Sequence, residues 1–120
     1  GEADLLIHPT NSGANSLRAD LVPAPAGRVR VRVRDAGAVW DELGLAEVDV
    51  LKVDAEGAEA GIFRALGPRL ARVRVVLAEY HTQEDRCEIT ALLPGHVLLR
   101  ESAHDDRRGV VRYARADLVR

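Results

Sequence analysis

Cysteine, tryptophan and phenylalanine occur once each in this chain of 120 residues, and methionine does not occur at all. The lone cysteine, Cys87, cannot close a disulfide within the chain. That excludes a disulfide-stapled scaffold and makes a reducing cytoplasm the expected location. Aromatic residues amount to 3%, too few for the stacking platforms that single-stranded nucleic acid uses. The formal net charge is -2, so no broad positive field draws nucleic acid or an anionic membrane. No apolar run approaches the roughly 18 residues of a membrane span, and no basic start leads into an apolar stretch as in a secretory leader. Neither nucleic acid nor a membrane is therefore expected as a partner. Opening on Gly1 without a methionine, the chain reads as a processed product or a piece of a longer protein.

What is present is a globular composition, with 47% hydrophobic and 30% charged residues, long enough for one domain with a core. Of the 17 basic residues, 16 are arginine, and Lys52 is the only lysine. A short strand is predicted at Leu5 to His8, followed by a polar loop, "PTNSGANSL", and a breaker, "VPAPAG". "RVRVRVR", residues 28 to 34, alternates strictly and predicts a strand with Val29, Val31 and Val33 buried and the arginines wet. Bases would need interleaved aromatics to stack there, so the arginines read as a solvated face rather than a nucleic-acid track.

"AGAVWDELGL" predicts a short helix that buries Val39, Trp40 and Leu43 and ends at Gly44. "VDVLKVD", residues 48 to 54, is apolar on both faces, as in a central parallel strand. Helical spacing follows over 56 to 66, with Ile62, Phe63 and Leu66 on one stripe and Gly67-Pro68 as the stop. A second apolar strand spans Val73 to Glu79. A helix from about Glu84 to Leu93, capped by Thr82, precedes two strands joined by "AHDDRR". Strand and helix alternating through the middle argue an α/β domain with a parallel sheet, ending in an antiparallel hairpin.

Ligands of such sheets bind beyond the carboxyl ends of the strands. One strand there delivers Asp54, Glu56, Gly57 and Glu59, and the next delivers Glu79 and His81. Carboxylates at a helix start are ordinarily caps favoured by the dipole, which accounts for Glu56 and Glu59 but not for Glu79 and His81. A carboxylate beside an imidazole suits general-base work. Carboxylates with an imidazole also suit divalent ions, but Asp54, Glu56, Glu59 and His81 match no specific metal spacing, and no metal is expected. His8 and His96 read as structural, His104 with Asp105 and Asp106 as a wet loop, and Cys87 as lacking an activating partner. Asn11, Ser12 and Asn15 are either a substrate loop or merely solvated.

"VDVLKVDAEGAEAGIFRAL", followed about twenty residues later by "VVLAEYH", resembles the core of the FkbM-type methyltransferases, which depend on S-adenosylmethionine. Lys52, Asp54, Glu56, Gly57, Glu59, Glu79 and His81 all match the family pattern, whereas Ala36-Gly37 replaces its usual Thr-Leu. The resemblance covers nearly the whole chain. It implies a partial Rossmann-like methyltransferase sheet and methyl transfer to the hydroxyl of a small-molecule acceptor. His81, held by Glu79 or Glu56, is the implied base, Asp54 lies nearest the methyl end of the cofactor, and Gly57 admits a close backbone approach. No glycine-rich turn follows a strand here, so the chain is expected to be the carboxyl-terminal portion of such a domain, inactive by itself. The alternative is a non-catalytic remnant of the fold that self-associates or binds a partner. In the fold the sequence resembles, the strand at 48 to 54 pairs on both sides. Here one side lacks its usual neighbour, so it is expected to be covered by the strand at 28 to 34 or by a second copy in a homodimer.

Overall fold

The structure, a computed structural model, describes residues 1–119. Strand β1, Glu2–Ile7, pairs antiparallel with β2, Gly27–Arg32, from Glu2 opposite Arg32 to Ile7 opposite Gly27. The two form a ribbon of their own rather than part of the main sheet. This corrects two expectations. β2 does not cover the strand at 48 to 54, and its valine face is not buried: Val29 is 51% and Val33 39% exposed. The alternation was a sound sign of a strand, but a two-stranded ribbon has too little surface opposite it to make a core. Arg30 instead reaches across to Glu2 and Asp4 of β1.

Helix α1, Ala36–Glu42, starts where Asp35 accepts from the Ala38 N–H at 2.8 Å. It buries Trp40, whose indole N–H donates to the Leu45 carbonyl. Leu43, expected inside, is 65% exposed. It sits at the helix end, and Leu45, beyond Gly44, packs on the core instead.

The main sheet has the order β3-β4-β6-β5. β3, Val48–Val53, pairs parallel with β4, Val73–Tyr80, and helix α2, Glu59–Leu66, lies between them in sequence. After helix α3, Gln83–Ala91, come β5, His96–Ala103, and β6, Gly109–Arg115. The closing strand β6 inserts between β4 and β5, antiparallel to both. The domain is thus mixed α/β, with one parallel pair and the expected terminal hairpin; the described residues contain no wider parallel sheet. No helix among them is long and apolar enough to cross a membrane.

The core joins Trp40, Phe63, Leu66 and Ile89 of the helices to Val53, Val76, Ala78, Tyr80, Val111 and Tyr113 of the sheet. β4 buries alternate residues, as a strand with one helix-covered face must. β3 is an edge strand, and Val50 on it is 56% exposed. The expectation that helices cover both faces of β3 therefore fails, because all three helices contribute to a single core. Packing is close at Gly109, where a Cβ would stand 2.4 Å from the Tyr80 hydroxyl. That hydroxyl donates to Glu101 Oε1 at 2.9 Å.

Candidate active site

β3 and β4 run parallel, so their carboxyl ends open on the same rim. Past β3 the chain turns sharply through Asp54 to Ala58 before α2 begins. Glu56 has φ 47° and Gly57 φ 98°, and Glu56 is the one non-glycine residue with positive φ among those described. Two left-handed residues in succession break helical geometry, which is why α2 starts at Glu59 rather than at the expected 56. A left-handed glutamate is strained and persists only where its surroundings hold it.

Glu59 does much of that holding. Its carboxylate is fully buried and accepts from the Ala55 N–H at 2.8 Å and the Gly57 N–H at 2.9 Å. From outside, Ser16, 2% exposed, donates its hydroxyl to the Glu56 carbonyl at 2.5 Å. Arg18 forms an ion pair with Asp85 of α3 at 2.5 Å and approaches the Gly57 carbonyl at 3.5 Å. Gly57 is buried, and a Cβ there would meet Leu21 at 2.4 Å and Arg18 at 2.9 Å. The close approach at this glycine is thus made by the chain's own residues.

His81, just beyond β4 and 3% exposed, faces three carboxylates. Its Nε2 is 3.2 Å from Glu56 Oε2 and 3.9 Å from Glu79 Oε1, and its Nδ1 is 3.4 Å from Glu59 Oε1. These oxygens lie off the ring N–H directions, and neither ring nitrogen has a hydrogen-bond partner among the described residues. Pairing with Glu59, and then the charges of Glu56 and Glu79, raise the His81 pKa above its ordinary value against the effect of burial. Burial, and after it the neighbouring Asp54 carboxylate, push the Glu79 carboxyl up to about 7. Burial acts the same way on Glu59, but His81 and the Ala55 N–H outweigh it and hold this carboxyl below its usual range.

The structure therefore brings Glu56, Glu79 and His81 into one cluster, with Asp54 beside Glu79 and Gly57 behind the turn. Sequence reasoning left Glu59 as a helix cap and passed over Ser16 and Arg18, which act across about forty residues of chain. The Glu-Gly-x-Glu spacing held the signal for Glu59, since the turn it encloses needs an acceptor. Asn11 and Asn15 serve their own loop: Asn11 accepts from the Gly13 N–H and Asn15 from the His8 N–H. His96 bonds the Val73 carbonyl at 2.8 Å.

Glu56 and His81 line an open cleft of about 310 Å³, bordered by His8, Leu21 and the 105 to 108 turn. Its volume is at the small end for a small-molecule site. A larger hollow of about 430 Å³ lies beside the amino end of β4, lined mainly by apolar residues and remote from the carboxylate cluster.

Residues 4–111 match the model of the methyltransferase FkbM domain. The chain belongs to this methyltransferase family. It has no significant match among curated proteins or among solved structures.

Proposed function

We propose that this chain carries the chemical rim of an S-adenosylmethionine-dependent methyltransferase that acts on the hydroxyl of a small molecule. The observation that carries the reading is the buried His81 imidazole set among Glu56, Glu59 and Glu79 at the floor of a cleft. S-adenosylmethionine, when bound, supplies an electrophilic methyl group on a positively charged sulfur. The acidic rim fits that charge: Asp54, Glu56 and Glu79 gather there, and among the described residues none of them is neutralised by an ion pair to lysine or arginine. Contacts for the adenosine part are not evident, since no glycine-rich turn follows a strand in these 120 residues.

The remaining work falls to the chain. The cleft holds the acceptor with its hydroxyl toward Glu56 and His81. His81 Nε2 would take the proton of the acceptor hydroxyl, freeing its oxygen for the methyl group that the cofactor would supply. Three neighbouring carboxylates stabilise the imidazolium so formed, which is what a general base of raised basicity requires. Holding both reactants at one rim supplies a further part of the acceleration.

The test is S-adenosylhomocysteine formation over a panel of hydroxylated compounds by a complete enzyme in which this chain is joined to a cofactor-binding half. His81→Gln is expected to lower turnover by roughly 10²–10⁴-fold with cofactor affinity nearly intact. Unchanged turnover would remove His81 from the role of base. A panel that never yields the methylated product would count against the acceptor class.

A second reading, a self-associating module without catalysis, is favoured by one observation, the unpaired edge of β3 with Val50 exposed.

A further inference from the structure

Glu56 reaches the rim from the turn after β3, Glu79 from the end of β4, and His81 from the residue beyond it. One oxygen of each glutamate and one ring nitrogen of His81 lie within 4.8 Å of one another. Nε2 stands 3.2 Å from Glu56 Oε2 and 3.9 Å from Glu79 Oε1. Around an ion with bonds of about 2.1 Å, adjacent donors sit about 3.0–3.4 Å apart. Nε2 and Glu56 Oε2 already stand at that separation, and the half-buried Glu79 carboxylate has to close in on them to complete the shell. Buried ring nitrogens normally have partners. Here both lack one, although the side chain is 3% exposed.

Charge points the same way. Glu56, Glu59 and Glu79 surround a single imidazole, with Asp54 beside Glu79, and among the described residues no lysine or arginine forms an ion pair with any of them. The other side of the ring is prepared as well. Glu59 lies 3.4 Å from Nδ1 and is itself fixed by two backbone N–H groups. With an ion on Nε2, the Glu59 carboxylate beside Nδ1 is placed to stabilise the proton on that atom.

We propose that Glu56, Glu79 and His81 bind one divalent transition ion of the Mn²⁺ or Zn²⁺ class, with Glu59 orienting the imidazole. One nitrogen and two oxygens suit that class better than the all-oxygen shells of calcium and magnesium. Water fills the remaining positions, and an acceptor oxygen can displace it. The site needs neither cofactor nor acceptor, so it goes beyond the methyl-transfer reading. An ion on Nε2 excludes a proton from that atom. In the loaded state the ion, as a Lewis acid, takes over from the imidazole in easing deprotonation of a bound hydroxyl.

The experiment uses the chain freed of metal with a chelator, with Mn²⁺ as the probe. Electron paramagnetic resonance of unbound Mn²⁺ should report one saturable site per chain. Paramagnetic broadening of amide signals in the unaltered chain should centre on residues 54–57 and 79–82, which requires no variant to fold. His81→Gln and Glu79→Gln should each weaken binding by more than tenfold, and Glu59→Gln by roughly 10–100-fold as expected of an outer partner. Asp49→Asn, a change at an exposed acid, should leave it unchanged. No saturable binding, or broadening centred on the exposed acids at 49 or 105 and 106, overturns the proposal. Failure here leaves methyl transfer standing with His81 as base, and failure of methyl transfer leaves the ion site standing.

Discussion

Glu59 is fully buried; its carboxylate accepts from two backbone N–H groups and lies 3.4 Å from the His81 ring. Removing it strands those two donors in the interior and leaves His81 without its closest Nδ1 neighbour. Glu59→Ala is expected to cost about 3–5 kcal/mol, the range for breaking one side of a buried charged pair. Glu59→Gln, which keeps one acceptor oxygen, should cost about 1–3 kcal/mol. Urea unfolding reads both as shifts in midpoint at constant slope. An alanine variant within about 0.5 kcal/mol of the parent, the range of an ordinary surface change, would mean that the turn holds itself. Glu56, Glu79 and His81 were legible in the sequence because two parallel strands must end on one rim. The role of Glu59 was not, since it depends on backbone N–H groups turned inward by left-handed residues that no periodicity reports.

At the scale of elements, helices and strands followed their patterns, but burial depended on what lay opposite. α2 buries Phe63 and Leu66 as its stripe predicts, and Thr82 caps α3 by accepting from the Asp85 N–H at 3.1 Å. β2 has a perfect alternation and no core, because its only strand partner among the described residues is β1. The insertion of β6 between β4 and β5 was likewise hidden, since a hairpin pattern fixes pairing within the hairpin and not which strand joins the sheet. The 54–58 turn is held by a segment far away in sequence. Ser16→Ala leaves the Glu56 carbonyl without its donor and should cost about 1–3 kcal/mol. Hydrogen exchange at residues 55–58 should accelerate with it. Unchanged exchange would show that Ser16 does not secure the turn.

The whole molecule presents two sheet edges of different character. β5 carries a register shift between Leu98 and Arg100, an irregularity that blunts strand addition. β3 pairs without interruption on its β4 side and has no described neighbour on the other. We propose that two copies join through β3, and sedimentation should give a mass that rises with concentration. Val50→Lys puts like charges near each other across such a pair and should oppose it. A chain that stays monomeric throughout the series would rule this out. The central claim concerns the acidic rim, and it predicts a preference set by charge. S-adenosylmethionine carries a positive sulfur, whereas S-adenosylhomocysteine has the same skeleton with a neutral one. Titrated into the chain and followed by amide chemical shifts, S-adenosylmethionine should bind weakly, with a dissociation constant on the order of millimolar. It should move residues 54–59 and 79–82 first, and S-adenosylhomocysteine should move the same amides with clearly lower affinity. Equal responses to the two compounds, or shifts centred away from the β3–β4 rim, would contradict the account.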